Sequence, residues 1–183
     1  MAGGNGIRVA TPLTREFREK VSAGDRLLLT GRLITARDQA HRRLVEALER
    51  GERPPVELRG EVVYYTGPTP APPGRVAGSV GPTTASRMDP YTRRLAEEGI
   101  AACIGKGPRS PETRRVLAEN GVLYLVGIGG TAALLGSRVR ALRLLAYGEL
   151  GPEAVYELEV EDLPVLVAYD LKGGDVFSHL ARL

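Results

Sequence analysis

Two short, almost wholly apolar runs, Ile100–Ile104 and Val122–Ile128, stand on either side of a single helical signature, and this alternation restricts the fold more than any other feature of the chain. The helix between them opens at Ser110-Pro111-Glu112, where proline at the first helical position gives up only an N–H that has no intrahelical partner anyway. Gly121 stops it. Asp89-Pro90 opens an earlier helix that ends near Gly99, so two strand–loop–helix units follow one another. Apolar runs of this length, bounded by glycine and proline, read as strands with covered faces.

Upstream, Ile7–Pro12 reads as a short strand, Thr14–Val21 as a brief polar turn or helix, and Arg26–Ile34 as an apolar strand with a bulge at Gly31. Thr35 is the expected N-cap of a helix whose apolar positions Ala36, Ala40, Leu44, Ala47 and Leu48 recur at three- and four-residue spacing until Gly51. Val56–Thr66 is strand-like around Gly60, and the proline-rich stretch Gly67–Gly74 is a stiff extended connection. Downstream, Val139–Tyr147, Val155–Val160 and Leu163–Asp170 are strand-rich, and Lys172-Gly173-Gly174-Asp175 is a tight turn. The expectation is an α/β fold, a mixed sheet with flanking helices, with residues 1–183 forming a single domain.

Charge and cysteine content narrow the function classes. The net charge of +3 is scattered rather than gathered into a basic stripe, which argues against nucleic-acid binding. No apolar run is long enough to span a bilayer and the first residues lack the regions of a signal peptide, so a cytoplasmic protein without a membrane segment is expected. Cys103 is the only cysteine, so an iron–sulfur cluster cannot take its thiolates from this chain. No metal ligands are assigned here.

Five segments carry residues suited to anion chemistry. Arg37, expected in the first turn of the Ala36 helix, sits where the helix dipole disfavours a cation, so a compensating anion is required. Either Asp38 or a bound carboxylate would serve. His41 follows Arg37 by one helical turn and is open to a structural, an orienting or an acid–base role. In Gly81-Pro82-Thr83-Thr84-Ala85-Ser86-Arg87, a threonine hydroxyl could cap a helical turn, which leaves the other hydroxyl and Arg87 without an assignment. Lys106, between Gly105 and Gly107, is one of only three lysines in an arginine-rich chain, which suggests a compact point charge is wanted there. Gly127–Thr131 offers a weak anion cradle that lacks a nucleotide-binding pattern.

Together, Ala36-Arg37-Asp38-Gln39-Ala40-His41, Gly81–Asp89, Gly105-Lys106-Gly107 and Glu149–Tyr156 running through Glu159–Pro164 resemble the C-terminal domain of class I fumarases. They are equally similar to the beta subunit of two-subunit fumarases and tartrate dehydratases. The resemblance implies a swivelling β/β/α domain and a four-iron four-sulfur cluster held by a separate alpha subunit. It also implies a dicarboxylate substrate bound here by Arg37, Thr83, Thr84, Arg87 and Lys106. Hydration of fumarate to malate is the reaction implied, with Thr83 or His41 moving the proton, Asp38 supporting, and a dimeric or alpha2beta2 assembly. Gly129-Gly130-Thr131 looks like the fumarases, while a tartrate dehydratase subunit and a non-catalytic anion-binding module of the same fold stand as alternatives.

Overall fold

Among the residues described by this computed structural model, 6–127 and 132–178, seven strands hydrogen-bond into one mixed sheet. They are β1 Ile7–Ala10, β2 Arg26–Thr35, β3 Val62–Tyr64, β4 Ala102–Gly105, β5 Leu123–Gly127, β6 Val139–Ala146 and β7 Val155–Tyr169. β1 to β5 lie side by side and parallel. β7 runs antiparallel to both β5 and β2, which closes β2, β3, β4, β5 and β7 into a five-stranded barrel. The fold is α/β, as the strand–loop–helix alternation leads one to expect.

Closure depends on one long strand where the sequence suggests two. Val155–Val160 pairs with the second half of β2 and with β6, whereas Leu163–Tyr169 pairs with the first half of β2 and with β5. The bend between the halves falls at Asp162, whose φ of 51° is left-handed, a conformation that aspartate tolerates better than most residues. It meets the register shift at Leu29/Gly31 of β2, and the Thr30 hydroxyl accepts a hydrogen bond from Asp162 N at 3.0 Å.

Period-two alternation divides the core. Val62, Tyr64, Ala102, Ile104, Leu123 and Leu125 face the barrel interior with Leu27, Leu29, Leu33, Leu158 and Val165. Their alternates Val63, Tyr65, Cys103 and Tyr124 face outward. Three helices cover that outer face: α2 Asp38–Glu49, α3 Asp89–Glu97 and α4 Pro111–Glu119, through Leu44, Leu48, Leu95, Val116 and Leu117. Each fully buried leucine contributes about 2 kcal/mol of burial free energy, so this two-faced packing holds the sheet in one register. The shorter helices α1 Arg15–Lys20 and α5 Ala132–Ser137 complete the set. None of the helices is long and apolar enough to cross a membrane among the described residues.

The helix starts follow the sequence signals with one exception. Ser110 caps α4, its Oγ accepting from Thr113 N at 3.1 Å, and α3 carries proline in its first turn. Thr35, however, does not cap α2. Its hydroxyl accepts from Tyr156 N at 3.0 Å on β7, and Ala36 N donates to Tyr64 O, so the chain stays extended past Thr35. The helix therefore begins at Asp38, and Arg37 occupies the cap position with no side-chain capping bond of its own.

Because β2 to β5 are parallel, their carboxyl ends share one rim of the barrel. Arg37 follows β2, the segment that leads to Thr83 follows β3, and Lys106 follows β4. In open parallel sheets the carboxyl ends of the strands are where ligands bind, and the same edge of this barrel gathers the predicted site.

Candidate functional site

Main-chain hydrogen bonds assemble the centre of the site. Thr83 N donates to Tyr65 O at 2.6 Å, Lys106 N donates to Thr83 O at 3.1 Å, and Ala85 N donates to Lys106 O at 2.9 Å. Thr84 and Lys106 form a parallel β-bridge, so the Gly81–Arg87 segment lies alongside the exit of β4. Gly105 makes this approach possible, since a Cβ there would lie 2.7 Å from the Ala85 Cβ. Thr83 is half-buried, while Thr84 and Lys106 are exposed. Lys106 has no carboxylate within salt-bridge distance among the described residues.

Two arginine–carboxylate pairs flank this centre, both at the start of α2. Arg87, on the 3-10 turn Ala85–Met88, donates through Nε to Asp38 Oδ1 at 3.0 Å. Arg37 Nη2 lies 3.5 Å from Glu153 Oε1, and Glu153 Oε2 accepts from Gln39 N at 3.1 Å. Glu153 is thus the anion that the α2 N-terminus requires, and it arrives from the 3-10 segment Gly148–Glu153 just ahead of β7. The sequence offers Asp38 or a ligand for this task, and nothing local marks Glu153. Gly67 also packs against Arg37, where a Cβ would lie 3.1 Å from Arg37 Cδ and 2.7 Å from Pro152 O.

The structure therefore brings Arg37, Asp38, Thr83, Thr84, Arg87 and Lys106 to one barrel rim, linked by the hydrogen bonds above. His41 differs. Its ring is fully buried, edge-on to Tyr65 and tilted against Tyr91. Nδ1 lies 2.9 Å from Arg37 O, and since a carbonyl only accepts, Nδ1 carries the proton. Nε2 is buried without a partner among the described residues. Burial pushes the His41 pKa down to about 4, with the Arg37 carbonyl opposing and the Arg109 charge assisting. The ring is thus a neutral support for the backbone at Arg37, turned into the core instead of sharing the arginine's side of the helix.

This burial sets a pH dependence. The unfolded chain takes up a proton at His41 near pH 6.5 and the folded chain only near pH 4, so the unfolded state binds more protons between them. Stability is accordingly lost as pH falls through that window, by about 3 kcal/mol from this residue. Urea midpoints measured at pH 7 and pH 4.5 should show a smaller difference in His41→Gln than in the parent chain. Equal differences in the two would show that His41 is not held neutral.

Beneath the site lies a second set of residues that sequence reading misses. The Arg109 side chain is fully buried, with Nε donating to Asp89 Oδ1 at 2.6 Å and Nη2 to Thr92 Oγ1 at 2.5 Å. Its guanidinium stacks between the Tyr65 and Tyr124 rings at 5.5 and 5.3 Å. Burial alone would lower its pKa, but Tyr65, Cys103 and the Asp89 carboxylate outweigh that and raise it. Asp89 Oδ2 also accepts from Ser110 N at 3.0 Å. Arg109 therefore ties the loop bearing Lys106 to the start of α3, directly after Arg87. Only its place three residues after Lys106, beside Pro108 and the Ser110 cap, hints at this from sequence.

Comparison with known proteins sets this geometry in a family. The sequence model described as Fumarase C-terminus matches residues 3–180. The chain belongs to the fumarase C-terminus family. It is 38% identical over 185 residues to a class I aerobic fumarate hydratase of Escherichia coli K12, covering 97% of this chain and 34% of that protein. It is 39% identical over 166 residues to fumarate hydratase 2 of Leishmania major, covering 90% of this chain and 29% of that protein. With the L(+)-tartrate dehydratase subunit beta of E. coli K12 it shares 32% identity over 181 residues, covering 96% of this chain and 88% of that one. This fumarase C-terminus chain thus spans about one third of the length of the fumarate hydratases it matches, and nearly all of the beta subunit.

Proposed function

We propose that this chain supplies the carboxylate-binding and proton-transfer half of a hydro-lyase that interconverts fumarate and malate. A separate alpha subunit, in an alpha2beta2 or similar assembly, supplies the iron–sulfur cluster. The observation that carries the reading is that Arg37, Thr83, Arg87 and Lys106 lie at one rim of a fumarase C-terminus barrel, on the segments that follow β2, β3 and β4. The three cations among them suit a dicarboxylate. In the dehydration direction, removal of a proton beside a carboxylate adds a second negative charge to that end of the already dianionic malate, as an aci-carboxylate, and cations fixed in advance stabilise it more than they stabilise the substrate.

Thr83 is assigned the proton transfer. A threonine hydroxyl is a weak base in water, so its alkoxide requires neighbouring positive charge, a task this reading gives to Lys106 and Arg87. Its main chain is pinned on both sides, to Tyr65 and to Lys106, which fixes the side chain's origin. His41, buried and neutral, supports Arg37 in this account and does not meet substrate. Thr84 joins the cations as a hydrogen-bonding contact.

The residues of this chain do not fit an iron–sulfur cluster. Cys103 is buried in the sheet, burial raises its thiol pKa, and no group of three or more histidine, cysteine, aspartate or glutamate side chains is arranged for a metal among the described residues. The cluster is therefore assigned to the partner.

Tartrate dehydration is a second reading, favoured by the near-complete length match to the beta subunit named for that reaction. Gly129-Gly130-Thr131, whose sequence leans toward the fumarases, lies outside the described residues, as does most of the Gly127–Thr131 cradle. Assays of the co-purified pair with each substrate separate the two readings. A kcat/KM for fumarate that exceeds that for L(+)-tartrate at least tenfold, the discrimination equivalent to about 1.4 kcal/mol, is expected, and the reverse ratio would transfer the assignment to tartrate.

A further inference from the structure

We infer that Glu153 is a positioning residue that aims the Arg37 guanidinium at the substrate carboxylate. The inference rests on Arg37 being a carboxylate ligand, as proposed above, and extends that reading to a residue that does not itself touch substrate. One Glu153 oxygen faces Arg37 Nη2 at 3.5 Å while the other accepts from Gln39 N at 3.1 Å, so a single carboxylate joins the arginine to the helix that follows it.

Three further features fix the arrangement. Gly67 packs against Arg37 Cδ and Pro152 O and leaves no room for a side chain. Arg37 Nε is buried with no hydrogen-bond partner among the described residues. The segment that carries Glu153 is itself fastened to the end of β2, because the Thr35 hydroxyl accepts from Tyr156 N at 3.0 Å two residues before Arg37. Arg37 is thus held by contacts with Gly67 and Glu153, with Nη2 turned to the carboxylate. With the Gln39 amide occupied by Glu153, that donor of the α2 N-terminus is not open to the ligand. A substrate carboxylate binds the remaining donors of Arg37 instead.

A carboxylate beside Arg37 has two opposed effects, since it orients the guanidinium and also reduces its attraction for anions. Both side chains are about one quarter exposed, so water screens the second effect only in part. Orientation dominates, because a planar fork must meet a planar carboxylate edge on.

The test is a double-mutant cycle in the reconstituted two-subunit enzyme, combined with a readout on the chain alone. Glu153→Ala is expected to raise KM for fumarate about tenfold and to lower kcat with it, since Arg37 is among the cations that stabilise the transition state more than the substrate. Glu153→Gln, which keeps an oxygen for Gln39 N, should fall between. Adding Glu153→Ala to Arg37→Ala should change KM by less than about twofold, because the effect travels through Arg37. In the isolated chain, hydrogen exchange at Arg37 Nε, followed by NMR on arginine-labelled protein, should accelerate about tenfold in Glu153→Gln while the melting temperature holds within about 3 °C, the shift expected of about 1 kcal/mol. An additive double mutant, or unchanged KM and exchange in the Glu153 variants, overturns the inference. Accelerated exchange in a chain whose reconstituted parent acts on neither fumarate nor tartrate would instead overturn the proposed function while upholding Glu153 as the residue that holds Arg37.

Discussion

Replacing Thr83 by valine should lower the turnover of the reconstituted enzyme by about two to four powers of ten, the range for loss of a positioned general base, with KM changed only modestly. The substitution preserves shape and removes only the hydroxyl. The bonds that place residue 83 are main-chain bonds, Thr83 N to Tyr65 O and Lys106 N to Thr83 O, and they survive the change. A fall in kcat therefore reports the chemistry and not a displaced loop. His41→Asn should cost far less, because the imidazole is buried with its single bond directed to the Arg37 carbonyl. Pre-steady-state measurement of proton exchange from malate checks the assignment. Should His41→Asn abolish exchange while Thr83→Val retains it, the histidine takes the role.

The largest effect on stability should come from Arg109. Arg109→Met leaves Asp89 without its guanidinium partner, and breaking a buried ion pair from one side costs about 3–5 kcal/mol, since the remaining charge stays in a poorly solvated place. In a domain of this size that corresponds to a fall in melting temperature on the order of 10 °C. Asp89→Asn strands the arginine among Tyr65, Tyr124 and Cys103 and should cost a similar amount. The double variant should lose distinctly less than the two single losses combined, because neither charge is then left uncompensated. Urea denaturation of the four proteins measures the cycle. Additive losses would mean that the two residues act separately and that Arg109 does not bind the Lys106 loop to α3.

The sequence makes the helices and the central strands legible because their signals are local: caps at Ser110, proline at the helix starts, glycine stops at Gly51 and Gly121, and apolar runs at β4 and β5. Barrel closure is not legible. It depends on β7 being a single strand bent at Asp162, and on pairings between β2 and β7 that join residues more than a hundred positions apart. The same reason explains Thr35. A threonine before a periodic helix is an ordinary N-cap signal, and only its distant partner Tyr156 shows that the hydroxyl is engaged elsewhere.

Within the candidate site, the segments bearing Arg37, Thr83, Thr84, Arg87 and Lys106 could be identified from their residue types and the resemblance they carry, and the fold gathers them at one rim. Glu153 and Arg109 could not. Arginine is so common in this chain that a buried one has no compositional mark, and a glutamate reaching a helix N-terminus from 114 residues away has no periodic signature. Asp89 reads as a helix-opening residue, and its second task, receiving Arg109 and Ser110 N together, exists only in three dimensions. His41 shows the converse: its spacing from Arg37 suggests a shared face, but the ring turns inward to the tyrosines.

On the proposed function, this chain holds and deprotonates a dicarboxylate only when a cluster-bearing subunit completes its site. The direct measurement is malate formation from fumarate under anaerobic conditions, by the purified chain alone and by the chain co-expressed with a large subunit. The account predicts a colourless, inactive chain and a brown, active pair whose activity disappears on exposure to air. Robust malate formation by the chain alone would contradict it.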